Sequence, residues 1–338
     1  MEKGISCLKR KYVLVNITLS NRVKIECNRK SFAVDGTPKG DEIGILTHAH
    51  ADHLPNSTQH SYVSSELTNS LGSLRIGSFD RTEQRDDVEL IKSGHIPGSR
   101  AVLIEDEGET VLVTGDFNTR DTVLTDGFSF NEPVDHLVIE STYGQPRYRF
   151  PDQKDLESDI INWFESVSDR KIVCRGYSLG RAQEIELLAR KAGITDIVVN
   201  TATMRINRTI NQFRDNDFCT NRLDQLSNLN QGQLYITSNR NDIEDTRDTF
   251  NDQEVVSAAF TGWAVERDYE SSSMFDAAFP LSDHSDYTGL LETVRSLNPN
   301  KVYTMHGYKD SLANDIVAET GIEAESLRKD QKTLEDFN

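Results

Sequence analysis

Residues 47–53 read Thr-His-Ala-His-Ala-Asp-His and follow an apolar segment, Ile43–Leu46, that predicts a strand. No other stretch narrows the possibilities so far. A lone histidine on an apolar face is usually a satisfied core residue. Here His48, His50, Asp52 and His53 place four donors within six residues at a strand end. Burying several imidazoles with a carboxylate costs free energy unless something pairs them, and a divalent cation does that. Loop geometry splays the four donors too widely for one ion. Two ion sites sharing the segment are expected, each completed from elsewhere in the chain.

Further donors stand at the ends of other expected strands. His95 lies in Ser-Gly-His-Ile-Pro-Gly-Ser, Asp116 closes Val-Thr-Gly-Asp, and His306 follows Val-Tyr-Thr-Met. Singly, each reads as structural; beside the 47–53 cluster, the ligand reading prevails. Of eight histidines, five fall in this set and a sixth, His284, lies in Leu-Ser-Asp-His-Ser-Asp. Only His60 and His136 remain as ordinary histidines.

The 338 residues suggest two domains or one large one. With 37 Lys+Arg against 55 Asp+Glu the formal charge is −18, which fits a solvated acidic exterior and excludes a surface that binds polyanions all over. No apolar run approaches the length of a membrane span. The N-terminus is basic but lacks the apolar core of a signal peptide. Cys7, Cys27, Cys174 and Cys219 are scattered without metal-like spacing, so a reducing cytoplasm is the expected setting.

Short strands are expected over Tyr12–Asn16, Arg22–Cys27, Ser31–Val34, Ile43–Leu46, Ala101–Glu105, Thr110–Thr114 and His136–Ile139, with a helix over Ser65–Leu74. The middle third alternates: helix Asp152–Val167, strand Lys171–Cys174, helix Gly180–Lys191, strand Ile197–Asn200. That alternation predicts a parallel βαβ unit, with Leu234–Thr237 and Val255–Phe260 as later strands of the same sheet. A helix over Thr288–Leu297, a strand over Lys301–Thr304 and a terminal helix follow.

His-x-His-x-Asp-His, then His95, then Asp116, resembles the metallo-β-lactamase superfamily. Glu140 in Ile-Glu-Ser-Thr-Tyr-Gly, His284, His306, Asp35 in Val-Asp-Gly and Gly180–Glu184 (GRAQE) resemble the motifs of its β-CASP nuclease branch. Glu140–Phe150 (ESTYGQPRYRF), Thr261–Ala264 (TGWA) and Phe279–Tyr287 (FPLSDHSDY) are similar to a subgroup of ligase-associated DNA exonucleases and mRNA 3′-end processing factor-like proteins. The likeness runs from about Phe32 to Tyr308.

The resemblance implies an α/β fold, an αββα sandwich built from residues 1–150 and 271–338. A βαβ, β-CASP-like cap is inserted at 151–270, and the active site lies between the two parts. It implies one ion on His48, His50 and His95, a second on Asp52, His53 and His306, and Asp116 bridging them. Zinc is the expected ion, with manganese or iron as alternatives. An ion-activated hydroxide would attack a phosphodiester, with Asp52 orienting it. His284 would stabilise phosphate or protonate the leaving group, Glu140 would orient His284, and Asp35 would hold a ligand histidine. Arg147 and Arg149 follow the acidic motif, and Arg181 heads a helix behind Gly180, so these three are the expected grips on a phosphate. Tyr143, Tyr148 and Tyr177 are candidates for base stacking.

The implied function is hydrolysis of single-stranded DNA or RNA from an end, in DNA repair or RNA 3′-end processing. A ligase, a helicase or an RNA-processing assembly would be its partners, and no membrane is involved. The competing readings are a thioester or lactone hydrolase and a scaffold subunit without catalysis.

Overall fold

The computed structural model describes residues 15–328 except 21, 29, 58, 79–83, 252–253, 267–268 and 270–273. The strand expected over Tyr12–Asn16 lies mostly outside the described residues. The chain begins with β1 (Asn16–Leu19), β2 (Val23–Cys27), β3 (Lys30–Val34), β4 (Ile43–Ile45) and β5 (Tyr62–Val63), which form one sheet in that order. Next come α1 (Glu66–Ile76), β6 (Val88–Lys92), β7 (Arg100–Asp106), β8 (Glu109–Val113) and β9 (His136–Glu140).

The middle region holds α2 (Gln153–Ser166), β10 (Lys171–Arg175), α3 (Arg181–Lys191), β11 (Ile197–Val199) and α4 (Thr201–Ile210). It continues with β12 (Leu234–Thr237), α5 (Arg240–Thr249), β13 (Val255–Phe260) and β14 (Ala277–Phe279). The chain closes with α6 (Tyr287–Leu297), β15 (Lys301–Met305), α7 (Lys309–Thr320) and β16 (Glu323–Ser326).

The second sheet runs β16-β15-β9-β8-β7-β6 and the third, all parallel, β11-β12-β10-β13-β14. Alternation explains how the second sheet comes to be buried on both faces. Val102, Ile104, Val111, Val113 and Val138 point into a core shared with Ile25, Phe32 and Ile45 of the first sheet. Their neighbours Ala101, Leu112, Leu137 and Ile139 point the other way, against Leu290 and Val294 of α6 and Leu312 and Ile316 of α7. Ile76 of α1 packs against Leu46, Leu54 and Tyr62 beside the first sheet. These layers are an αββα sandwich.

The third sheet repeats the device. Ile172 and Cys174 face α2 and α3, while Val173 faces Ile243 of α5. Its edge strand β14 pairs with β13, so by hydrogen bonding this layer runs to Phe279, beyond the expected boundary at 270. A small core of Leu67, Leu71, Ile96, Leu179, Ile206 and Ile210 packs α1 against α4 and so joins the middle region to the sandwich.

Candidate metal centre

His48, His50, Asp52 and His53 leave the carboxyl end of β4. His95, Asp116 and His306 follow the ends of β6, β8 and β15, and Glu140 is the last residue of β9. Loops at the carboxyl ends of sheet strands are the usual place for a site in such folds. Two backbone features hold the loops together. Gly115, at φ +55°, lies so close over Thr47 that a Cβ would meet that side chain at 2.8 Å. Gly307, at φ +41°, would meet the Ser141 carbonyl at 2.3 Å.

The partner at one ring nitrogen of each histidine decides where the proton sits. Asp35 accepts the Thr47 N–H at 2.8 Å and the Thr47 hydroxyl at 2.6 Å. That hydroxyl, its proton spent, accepts from His48 Nδ1 at 3.0 Å. Asp35 Oδ2 also accepts from His53 Nδ1 at 2.8 Å. His95 Nδ1 donates to the Asp283 carbonyl at 2.8 Å, and His50 Nε2 donates to the Leu179 carbonyl at 3.2 Å. In the neutral rings four nitrogens are thereby left without a proton: His48 Nε2, His50 Nδ1, His53 Nε2 and His95 Nε2.

Those four converge. His50 Nδ1 and His95 Nε2 stand 3.1 Å apart. Asp116 Oδ2 lies 3.4 Å from His48 Nε2, 3.4 Å from His53 Nε2 and 3.7 Å from His95 Nε2. His48 Nε2 is buried without a hydrogen-bond partner. Lone pairs turned on one another and on a carboxylate in a buried space repel unless a cation lies among them. The donor set therefore fits a divalent metal, and imidazole with carboxylate suits zinc.

Titration agrees. Burial holds His48 and His95 below the ordinary imidazole range and lowers His50 to about 4, so these three are neutral and able to ligate. Burial opposes charge on His53, but Asp116 and Asp35 outweigh it and raise its pKa well above the ordinary value. For Asp116 burial favours the acid, yet His53 and then His48 hold the carboxyl well below its usual range.

The candidates for a second ion are arranged more openly. Asp52 is 82% exposed, with Oδ2 3.8 Å from His53 Nε2. His306 is exposed at φ +62°, its ring centroid 5.6 Å from that of His53. Both line a cleft of about 500 Å³ together with His53, Asp116 and His284.

His284 stands beside the cluster, its ring 4.6 Å from that of His95. Its Nδ1 lies 2.8 and 2.9 Å from the two oxygens of Glu140. Glu140 is itself fixed by the Phe117 N–H at 2.9 Å and the Thr142 hydroxyl at 2.5 Å. Burial alone would lower the His284 pKa, but Glu140, then Asp116 and Asp283, raise it to about 10.

The expected substrate grips fall elsewhere. Arg181 is 2% exposed, and its guanidinium is taken by Glu184 at 2.6 Å and Asp283 at 3.0 Å. It therefore holds Asp283 in position and does not reach a strand in the cleft. Arg147 bonds to the Tyr308 hydroxyl and lies over the Tyr148 ring. Arg149 lies over Tyr287. Neither lines the cleft. Tyr143 and Tyr148 are buried in an aromatic cluster with Trp263. Tyr177 is 70% exposed and lines the cleft. Asp286 caps α6 by accepting the Gly289 N–H at 2.8 Å.

Four contributors were not anticipated: Thr47, Thr142, Arg75 and the Leu179 carbonyl. Thr47 adjoins the histidine run, and its hydroxyl was the one available signal. Thr142 stands two residues after Glu140 in the acidic motif, whereas Arg75 and the Leu179 carbonyl arrive through long-range packing and leave no local trace.

A model described as a Zn-dependent metallo-hydrolase RNA specificity domain matches residues 277–326. Over 312 residues the chain is 30% identical to a probable DNA ligase of Opitutus terrae, which covers 85% of this chain and 29% of that protein. It is 26% identical over 312 residues to the DNA cross-link repair protein SNM1 of Arabidopsis thaliana, covering 80% and 63%. It is 34% identical over 140 residues to an RNase J-like protein of Methanocaldococcus jannaschii, covering 38% and 33%. The chain thus spans less than two thirds of the length of each of these relatives. A crystal structure of a protein of unknown function from Enterococcus faecalis V583 superposes with a TM-score of 0.58 at 12% identity, covering 95% of this chain and 98% of that one, a likeness of fold. Proteins named for DNA repair and for RNA cleavage share this scaffold, and the chain belongs with them to the β-CASP nuclease branch of the metallo-β-lactamase superfamily.

Proposed function

We propose that this chain hydrolyses phosphodiester bonds of single-stranded nucleic acid from a strand end, with residues 151–279 as a cap over the cleft. The observation that carries the reading is the convergence of four imidazole nitrogens on Asp116 beside a carboxylate-held His284. His48, His50 and His95 would hold one ion, Asp52, His53 and His306 a second, and Asp116 both. Zinc is the first choice, with manganese or iron as alternatives. Bound ions supply positive charge to the phosphate and lower the pKa of water towards neutrality.

The chain's own groups do the rest. His284 keeps its Nδ1 proton on Glu140, so Nε2 is the atom that presents a proton to a phosphate oxygen or to the departing hydroxyl. Asp35 and Thr47 fix His53 and His48 in the ligating tautomer. Asp52, exposed at the cleft, orients the attacking water. Tyr177 offers an open ring on which a base can stack, and Arg75 lines the same cleft from α1.

Single strands are favoured for two reasons. A cleft of about 500 Å³ has the size of a small-ligand pocket, roughly 300–1,000 Å³, and admits a strand end in preference to a duplex. The acidic exterior repels long polyanions away from the ions. The relatives that cover most of this chain are named for DNA ligation and DNA cross-link repair, so DNA ends are the first substrate to try and a ligase or helicase the partner class. Among the described residues no helix is long and apolar enough to cross a membrane. Cys27, Cys174 and Cys219 are free thiols, which accords with a reducing cytoplasm.

The test is turnover by ion-loaded protein on labelled linear and circular single strands, DNA and RNA in parallel, with a thioester as a control. Linear strands should shorten from an end while circles survive. Cutting of circles would refute the end-dependent mode. Thioester hydrolysis with both nucleic acids untouched would replace the whole reading.

A further inference from the structure

A second cavity, of about 350 Å³, lies behind the loop that carries His95. Gly94, Ile96, Pro97 and Gly98 line it, while the His95 ring itself joins the metal cluster. The opposite wall is Phe213 and Arg214, just beyond α4 in the middle region, so the cavity straddles sandwich and cap.

Its charges are unusual for an acidic chain. Arg100 and Arg214 both line it, each partly buried. Among the described residues neither guanidinium has a carboxylate within 4.0 Å. Arg100 spends only Nη1, on the Ser99 and Gly98 carbonyls, and Arg214 spends Nη1 on the Leu124 carbonyl. The two are close enough to repel: burial, and then Arg214, hold the Arg100 pKa below its ordinary value. Lys92 adds a third cation, shared at the surface with Asp126 at 2.8 Å. Glu66 and Asp126 also line the cavity, so its charge is mixed, and Asp126 acts on Arg214 from a distance, but neither arginine is in contact with a carboxylate. Keeping two like charges half-buried together costs stability unless an anion compensates them. Phe213, 41% exposed at the rim, adds an apolar ring beside the charge.

We infer that this cavity is a phosphate-binding site, in which Arg100 and Arg214 clasp a phosphate group and Phe213 carries the adjoining base. The inference deepens the nuclease reading: the phosphate would belong to a part of the single strand away from the scissile bond. The same chemistry would also accept a free nucleotide, and the experiment separates the two sources.

Ion-loaded full-length His284→Ala protein, which would hold a strand uncut, is titrated with inorganic phosphate, a mononucleotide and a long single strand. Arg214→Ala and Arg100→Gln are then introduced on that background. Loss of one charged contact should weaken strand binding about tenfold. It should also flatten the dependence of log K on log salt by roughly 0.7, the value for one phosphate of a single strand. A loss confined to the long strand identifies a strand phosphate; an equal loss for the mononucleotide and inorganic phosphate identifies a free one. Unchanged affinity and salt slope for all three ligands would overturn the site. So would an Arg214→Lys variant that loses as much as Arg214→Ala with no change of slope, because packing and not charge would then be at work. The readout needs no turnover. Arginine-dependent binding with no cleavage by the parent protein leaves the site standing and sinks the nuclease reading, whereas cleavage by the parent protein with arginine-independent binding does the reverse.

Discussion

The two halves of the histidine cluster are anchored in different ways. His48 and His53 are oriented wholly within the sandwich, through Thr47 and Asp35, residues close to them in sequence. His50 is oriented directly from the middle region, and His95 through Asp283, whose side chain the middle region holds. His50 donates to the Leu179 carbonyl just before α3, and His95 donates to the Asp283 carbonyl, whose side chain is gripped by Arg181 on α3. One half therefore rests on sandwich residues alone, and the other also draws on residues of the middle region.

Asp116 is the one donor that faces both halves, so it gives the largest expected effect. Asp116→Ala should release metal from both positions and take turnover to background, read by elemental analysis beside a strand-cleavage assay. A variant that kept two ions and full activity would remove the basis for treating the halves as one centre. His284→Ala comes next. It should keep its metal while the rate falls by about 10²–10⁴, the usual contribution of a general acid or base. Loss of an ion would instead make His284 a ligand.

Arg181→Met tests the division itself. The substitution strands the buried Glu184 and the partly buried Asp283, and breaking such a pair when buried costs about 3–5 kcal/mol. Burial already raises the Glu184 pKa to about 7 against the pull of Arg181. The expected result is a cut of about 10–100-fold in affinity for the ion on the His50 and His95 side, the usual cost of losing an outer partner. Asp35→Asn should act on the His53 side in the same way. Equal loss at both ions from either variant would show that the halves are not independent.

Legibility in the sequence follows the same divide. The His-x-His-x-Asp-His run, His95, Asp116 and the Glu140–His284 pair could be read because each sits in a short motif at a strand end. The strands β7 to β10 and β13 were readable because alternate residues must fill two cores. The helix α5, Arg-Asn-Asp-Ile-Glu-Asp-Thr-Arg-Asp-Thr, offers one apolar residue, Ile243, and so no stripe to detect. The edge strand β16, Glu-Ala-Glu-Ser, is charged on an open flank and carries no alternation of apolar residues. The role of Arg181 was misread for a physical reason. A helix start behind Gly180 suits an anion equally well whether it comes from a ligand or, as here, from Asp283 of the chain itself. Tertiary partners such as the Leu179 carbonyl have no signature in any local window.

The smallest effect concerns the Glu140–His284 pair in the ion-free protein. Folding raises the His284 pKa from the ordinary 6.5 to about 10. A group raised on folding binds its proton more tightly in the native state, so its contribution to stability is fully present below about 6.5. That contribution then declines as pH climbs through about 10. The melting temperature of ion-free protein should therefore fall between these limits by more than that of His284→Gln, which lacks the titrating group. Added ions bring positive charge beside the ring and oppose its protonation, so in loaded protein the difference between the two should shrink. Parallel melting curves for parent and His284→Gln across this range, without ions, would mean that the imidazolium is not held by Glu140. The proton assigned to Nε2 would then have to come from another group at the cleft.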